Sequence, residues 1–465
     1  MPTASVTVLG GGVAGLAAAL RLARDGHRVV LLERDPLPIG APDDAPAWPR
    51  KGIPHFLQPH VFIPRGRSEL RAHLADVYES LLAAGARDVD LRRKLPGDAA
   101  PGDVDLQYLA ARRPLLEWAL RRAVAGEAGI TVRAGTQVRG LTVERGRVTA
   151  VQADGGTLAT DVVVDALGRR TSTPGWLAEA GIDTATDSSD CGVVYYSRYY
   201  RCRPGFALPD GPFILSPRGD LGYFGYAAFP GDNGTFATVL AVPPGVPEWR
   251  RLHEAAAYEA AVARIPALAA WADPAGVDPI TDVLPMAGLR NTLRRWGPAS
   301  PAGLLPAGDA YAHTDPTLAH GLAFALVHAA ELAEALRSHT DPVDRSAVYA
   351  AATGPALQER FDFATQLDAQ RLRMWLGEPV DLASARGDYA LFSQMAAGAA
   401  ALRDPDVFRV YVRRIGLLDS TAVLDRDTGL QQRIEQLFGQ IAAGPKPPGW
   451  PSREEMSAAV GGGRG

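Results

Sequence analysis

The chain has 465 residues, 47% apolar and 22% charged, fractions at the globular average that exclude disorder, collagen-like repeats and coiled coil. Lys+Arg 48 against Asp+Glu 52 leaves a net charge of -4, which argues against a nucleic-acid binder, whose affinity needs a positive surface. Cys191 and Cys202 are the only cysteines, too few for a disulfide framework or a Cys-based metal site, and no apolar run reaches the roughly 18 residues of a membrane span. A buried-strand pattern begins by residue 5 and leaves no room for a signal peptide, so the expected location is cytoplasmic.

Residues 6–9 are apolar and β-branched, suited to a buried parallel strand, and residues 10–15 read Gly-Gly-Gly-Val-Ala-Gly, which satisfies G-x-G-x-x-G. An Ala/Leu-rich helix over 16–24 follows, with Gly26 as its stop, and a second strand over 27–32 ends in Glu33. Each part has a mechanical job in holding a dinucleotide. Gly10 permits the tight turn, Gly12 lets the backbone approach a pyrophosphate, and Gly15 lets the helix pack close to the strand. The helix start, with Val13 and Ala14, presents free N–H groups to the phosphates. Glu33 is placed to accept the adenosine ribose hydroxyls and to repel a 2′-phosphate. NAD and FAD share this fingerprint, so it does not choose between them.

Residues 36–60 are rich in Pro and Gly and carry Arg50-Lys51-Gly52-Ile53-Pro54, which predicts a loop. Helices are expected over about 66–84 and 114–125, the second opened by Arg112-Arg113-Pro114. Residues 130–160 read as a β-meander with strands at 131–133, 138–143, 148–153 and 157–159. A buried strand over 161–166 ends at Gly168-Arg169-Arg170. Long antiparallel strands are predicted at 192–201, 213–216, 221–229 and 235–242, with a hairpin signal at Asp232-Asn233-Gly234. A helical region over 248–271 precedes Leu304-Leu305-Pro306-Ala307-Gly308-Asp309, and beyond Pro316 the chain reads as helical to about 441.

The expected fold class is α/β with an α+β insert. A Rossmann-like domain over 1–185 is interrupted by an antiparallel-sheet substrate domain over 186–285 and resumes over 286–340. A helical region over 341–443 and a flexible tail over 444–465 complete the chain.

Three separated segments carry a family resemblance. They are the fingerprint above, Asp161 to Arg170 reading Asp-Val-Val-Val-Asp-Ala-Leu-Gly-Arg-Arg, and Gly308-Asp309-Ala310 followed by Pro316 and His320-Gly321-Leu322. Over about residues 5–340 the chain resembles the FAD-dependent monooxygenases of the para-hydroxybenzoate hydroxylase type. Within that group it looks most like actinobacterial natural-product tailoring oxygenases such as polyether epoxidases, through Lys51-Gly52-Ile53-Pro54 with His60 and through Arg113-Pro114-Leu115-Leu116-Glu117-Trp118.

The resemblance implies a Rossmann-like FAD-binding domain in which Gly10, Gly12, Gly15 and Glu33 hold the ADP half. Arg34, Arg50, Val138 and Gly168 join them as candidate cofactor contacts, and Arg113 would lie against the ribityl-phosphate region. Asp309, after Gly308, would accept a hydrogen bond from a ribityl hydroxyl. Pro316 through Leu322 would pass the flavin ring, with the helix near Gly321 aimed at its pyrimidine edge. Leu318 stands where the family commonly has Gly, and Ala323 where it commonly has Asn. Asp165-Ala166-Leu167-Gly168-Arg169 lacks the Asp-Gly pair linked to FAD and NADPH contact, and the Trp-x-Trp-x-Ile-Pro motif of flavin halogenases is absent.

The implied activity is hydroxylation or epoxidation of a hydrophobic or aromatic secondary metabolite through a flavin C4a-hydroperoxide. O2 would be co-substrate, with NAD(P)H or reduced flavin from a partner reductase as electron source. An FAD-dependent reductase or dehydrogenase is one alternative, and a redox-neutral cyclase or binding protein using FAD as a scaffold is the other. His320 and His313, with Asp315, are candidate proton donors by position, against simple hydrogen bonding within the loop. Tyr195, Tyr199, Tyr223 and Tyr226 are candidates for an aromatic substrate cleft, against ordinary sheet packing. His55 and His60 lack partners at metal-ligand spacing, so no metal is expected. The expected partner is a small hydrophobic molecule, and the expected assembly a monomer or weak dimer.

Overall fold

The structure is a computed structural model that describes residues 3–209, 217–296, 300–444 and 449–462. Strand Ser5–Leu9 buries Val6 through Leu9, as a strand covered on both faces must. It is the middle of a five-stranded parallel sheet ordered Leu304–Pro306, Val162–Asp165, Ser5–Leu9, Arg28–Glu33, Ile130–Ala134. Helix Val13–Arg24 joins the first strand to the second and packs against helix His320–Ser338. The amino-terminal turn and the segment near residue 316, some 300 positions apart in the chain, therefore lie on one side of one sheet.

Residues 131–133 correct one expectation. They belong to Ile130–Ala134, which pairs parallel with Arg28–Glu33 as the edge of this sheet and not with the meander. The edge strand is largely exposed, so its sequence lacks the apolar run that marks buried parallel strands. The meander proper is Val138–Glu144, Arg147–Ala153 and Gly156–Ala159.

The chain leaves the parallel layer along Thr186–Asp190 and returns along Arg290–Arg294. These two pair antiparallel, and Ala312–His313 pairs with the returning strand. Between exit and return lies an antiparallel sheet ordered Arg218–Asp220, Gly225–Pro230, Thr235–Val242, Val194–Cys202, Val277–Pro279. The strand expected at 213–216 lies outside the described residues. The one expected at 221–229 starts later, because Gly222 and its neighbours make a turn between Arg218–Asp220 and Gly225–Pro230.

The two faces of this sheet bury different things. The period of two sends Tyr200, Tyr226, Phe236 and Leu240 to a core closed by Trp249, Tyr258 and Trp271. Tyr195, Val239 and their neighbours face Leu318, Leu367 and Trp375, back toward the parallel layer.

Helix expectations need finer cutting. The helix at 66–84 is two helices, Pro64–His73 and Ala75–Ala83, broken at Leu74, whose backbone is not helical. The region at 248–271 divides into Pro247–His253, Ala255–Arg264 and Pro266–Ala269, with Pro266 forcing the last break. Strands Arg87–Asp90 and Gln107–Ala110 form a hairpin ladder that the sequence did not suggest.

The tail is a larger correction. Residues Arg453–Gly461 form a helix with a Ser452/Glu455 capping box, packed against Ala255–Arg264. Met456 and Val460 are fully buried there. Two apolar residues four apart in a Gly-rich stretch are too little to read as a helix without the surface they fill. Met456→Ala should lower the unfolding free energy by about 2–4 kcal/mol, measured by chemical denaturation; a loss below about 0.5 kcal/mol, the usual surface effect, would mean that this helix is not docked.

Candidate functional site

One cavity of about 980 Å³ runs from the glycine-rich turn, past residues 308–322, to the inner face of the antiparallel sheet. Its amino-terminal end is shaped by missing side chains. Gly10 has φ +100°, and a Cβ there would lie 2.5 Å from the Ala166 carbonyl oxygen. A Cβ on Gly15 would fall well inside contact distance of the Gly10 carbonyl oxygen. Gly15 accordingly does not line the cavity; it sets the approach of helix to strand, the role expected of it. Gly12 caps helix Val13–Arg24 without any side-chain bond, so the helix start keeps free N–H groups facing the cavity.

Glu33 lies at the tip of the second strand, buried and in the cavity wall. Its Oε2 accepts from the Gly11 N–H at 2.7 Å and its Oε1 from the Asp35 N–H at 2.8 Å. Each oxygen keeps a lone pair for a further donor. Arg34, exposed, and Val138, buried, line the same end, and Gly168 lines it from the turn after Val162–Asp165.

Arg50 has a heavier structural role than the sequence implied. Its guanidinium donates to the Gly11 carbonyl at 3.0 Å and lies 3.4 Å from both Glu33 and Asp35 and 3.2 Å from Glu117. It thus ties the 36–60 loop, the glycine turn and helix Arg113–Gly126 together. Arg113 lines the cavity, pairs with Glu117 at 3.0 Å and holds His55 at 2.9 Å. Burial, with the Arg113 charge second, pushes the His60 imidazole down to about 3 and that of His55 well below its usual range. Neither is a cation at neutral pH. Among the described residues no group of three or more His, Cys, Asp or Glu is arranged to hold a metal ion.

The middle of the cavity is bordered by Gly308, Asp309, His313 and the stretch Pro316 to Leu322. Helix His320–Ser338 begins here with no side-chain cap, so a second helix start opens on the same cavity. The residue that makes this turn is Ala319, which holds φ +56°, a left-handed conformation costly to a residue with a Cβ. Leu318 packs beside Tyr195, Leu289 and Leu367. Ala323 does not reach the cavity; it lies where helix Pro64–His73 crosses at Gly66.

His320 and His313 both line the cavity. Burial, then the Arg360 and Arg414 charges, holds His320 well below its usual range, and burial likewise lowers His313 despite Asp309 beside it. Both rings are therefore neutral near pH 7, which removes an imidazolium acid from the site.

The four tyrosines separate. Tyr195 is on the cavity face. Tyr199 shares that face, but it lies four residues along the strand, near Arg112 and Asp232, and does not reach the cavity. Tyr223 stacks on Trp249 and donates to the Pro451 carbonyl at 2.9 Å, on the opposite core. Tyr226 packs in that same core and also borders the cavity. Alternation along paired strands separates Tyr195 and Tyr199 from Tyr226, whereas Tyr223 lies in the turn before strand Gly225–Pro230.

The sequence missed a wall contributed from beyond residue 341. Arg371 and Trp375, on helix Pro342–Trp375, line the cavity, and Asp368 sits behind them. Arg371 donates to Asp315 at 2.6 Å and to Asp368 at 2.9 Å, and lies over the Trp375 ring. Tyr195 donates to Asp315 and meets Thr317 through its hydroxyl. An Asp and an Arg at i, i+3 on a long helix ordinarily read as a solvated pair, so no local signal marked these as buried.

The residues present fit a flavin dinucleotide. Two uncapped helix starts, a glycine cradle that a Cβ would fill and an acid at the strand tip all open on one cavity, of the size that encloses a large ligand. Residues 5–113 match the family described as FAD dependent oxidoreductase. The chain is similar to Protein Rv3254 of Mycobacterium tuberculosis, 28% identical over 473 residues, 90% of each chain. Among solved structures it resembles PqsL, described as a probable FAD-dependent monooxygenase from Pseudomonas aeruginosa. That match has TM-score 0.57 and 18% identity, over 81% of this chain and 99% of that one. It also resembles the flavin-dependent brominase Bmp2, with TM-score 0.62 and 16% identity over 95% of this chain and 98% of that one. A third likeness is to 2-methyl-3-hydroxypyridine-5-carboxylic acid oxygenase, TM-score 0.56 and 16% identity over 81% and 93%.

The fold is that of flavin-dependent monooxygenases. No helix among the described residues is long and apolar enough to cross a membrane.

Gly15→Ala should cut the FAD retained on purification at least tenfold, about 1.4 kcal/mol of binding, by driving the helix start off the strand. Gly126→Ala, where nothing lies within 4 Å of the added Cβ, should leave both flavin content and melting temperature unchanged or slightly raised. Flavin absorbance and thermal unfolding of the two variants decide it.

Proposed function

We propose that the protein is an FAD-dependent monooxygenase that inserts one oxygen atom of O2 into a hydrophobic or aromatic small molecule, by hydroxylation or epoxidation. The electrons come from NAD(P)H or from reduced flavin delivered by a partner reductase. The observation that carries this reading is continuity. A single cavity joins the dinucleotide cradle to an apolar sheet face, with the Pro316 to Leu322 segment at the junction.

FAD, when bound and reduced, supplies the activation of O2; the chain's residues bind, orient and enclose. Gly10, Gly12, Glu33 and the first helix start would hold the ADP half. Asp309 and Arg113 would hold the ribityl-phosphate stretch. The start of helix His320–Ser338 would set its positive end toward a bound flavin and would stabilise negative charge on its reduced form without a titrating side chain.

The substrate side is mostly hydrocarbon. Ala227, Phe229, Val239, Ala241, Met286 and Leu289 line it from the sheet, and Leu318, Leu367 and Trp375 close it. Such walls exclude water from the reacting groups and favour a flat apolar molecule. Oxidation of an electron-rich ring or alkene suits this space better than transfer to a charged sugar or phosphate. Fold likeness extends to a brominase as well, and fold by itself does not choose the chemistry. The absence of a Trp-x-Trp-x-Ile-Pro motif favours oxygenation over halogenation.

Turnover of an aromatic or alkene substrate with reduced FAD under ¹⁸O2 should place one ¹⁸O in the product, read by mass spectrometry. Product formed at the same rate without oxygen, or carrying no label, would reject the monooxygenase reading.

A further inference from the structure

The wall where the sheet, the Pro316 segment and the long helix meet holds more acid than base. Asp315 and Asp368 both bond to one nitrogen of Arg371, at 2.6 and 2.9 Å, so the two carboxyls converge on a single donor. All three side chains are buried. The groups facing them are Tyr195 and Thr317 on one side, Asn291 and Cys191 on the other, and Asp220 beyond the Trp375 indole. None of these brings a second cation. Two buried carboxyls on one guanidinium leave one negative charge in excess, and a proton between them removes it.

We propose that Asp315 and Asp368 share a single proton at neutral pH, and that this makes Asp368 a positioning residue that keeps Tyr195 and the Asp315–Leu318 turn in the cavity wall. Asp315 is the member that holds the turn. Its Oδ1 accepts the Thr317 N–H at 2.9 Å and the Tyr195 hydroxyl, and its own N–H donates to Asn291 at 2.7 Å. Asn291 in turn donates to Asp368 at 2.7 Å, which closes the circuit. Arg371 also donates to Thr317 at 3.0 Å, so the same cation grips the turn directly. Losing the shared proton would set two like charges against each other and loosen Tyr195 and the turn together.

Electrostatics agree with the geometry. Burial, with the Asp315 charge second, pushes the Asp368 carboxyl up to about 9. Burial, the largest influence, acts against ionisation of Asp315 too, but Arg371 together with the hydrogen bonds to Asp368, Thr317 and Tyr195 holds that carboxyl below its usual range. The folded value for Asp368 lies above its unfolded one of about 3.9. The stability linked to this proton is therefore complete in acid and is lost as pH rises through the folded value, at about tenfold in the folding constant per pH unit.

The test compares the full-length protein with Asp368→Asn, a neutral isostere of the protonated carboxyl. The melting-temperature gap between variant and wild type should widen from pH 6 to about 9, then level off. The wild-type minus Asp368→Asn infrared difference spectrum should show a protonated carboxylic acid band at pH 7 that fades between pH 8 and 10; Asp165 and Asp220, whose carboxyls burial also pushes up, cancel in that difference. The near-ultraviolet circular dichroism, to which Tyr195 and Trp375 contribute among 13 tyrosines and 8 tryptophans, should change over the same range by more in wild type than in Asp368→Asn.

A constant gap, or no band in the difference spectrum, overturns the shared proton; if the variant fails to fold, a wild-type spectrum in which no carboxylic acid band fades between pH 8 and 10 does the same. A dichroism change as large in Asp368→Asn as in wild type overturns the positioning role. The inference extends the proposed function but is tested without flavin. Failure of the protein to take up added FAD would sink the oxygenase reading while leaving the band and the melting curves to judge this one.

Discussion

The cavity exists because a helix comes closer to a strand than any side chain at position 15 would allow. With Gly15 in place, helix Val13–Arg24 starts directly over the carbonyl of Gly10, and its free N–H groups face inward. Helix His320–Ser338 packs against Val13–Arg24, which brings a second helix start to the same cavity. A steric allowance thus precedes any electrostatic one.

Charge then fixes what sterics permit. Glu117 is fully buried among Arg50, Arg113 and Arg121, and Arg50 reaches across to the glycine turn. Such clusters add little net stability, because desolvating the ions offsets their attraction. Their directional bonds do select one arrangement of a loop rich in Pro and Gly. The Asp315–Arg371–Asp368 group does the same for the opposite wall, where it joins the sheet, the Pro316 segment and the C-terminal helix. Both clusters border the cavity, and each joins parts of the chain distant in sequence.

Departures from the family pattern find physical reasons in the packing. Ala323 sits at a helix crossing with Gly66 and away from the cavity, so no side chain there lines the site. The left-handed turn that a glycine would make easily falls on Ala319, and its strain is held by the buried Leu318 on one side and the helix on the other. His320, one of the candidate proton donors weighed against simple hydrogen bonding in the loop, is a ring kept neutral by burial and by the charges of two arginines. Histidine identity is visible in a sequence, but the charges that set its protonation come from Arg360 and Arg414, well over thirty residues away.

Local pattern alone determined the amino-terminal strand–turn–helix–strand, the acid at its tip and the buried strand at 162–165; the segment at 308–322 was legible only through the family resemblance. Each of the first three is written in contiguous residues whose backbone demands are local: glycine where a Cβ would collide, apolar runs where both faces are covered. Tertiary structure decided the rest. Whether 131–133 paired with the parallel sheet or the meander, which of four tyrosines faced the cavity, and whether Met456 had a surface to dock on were set by partners far along the chain. The wall from Asp368 to Trp375 was invisible for the same reason. A charged pair on a helix looks the same in sequence whether water or a buried carboxylate lies opposite, and only the packed fold settles which.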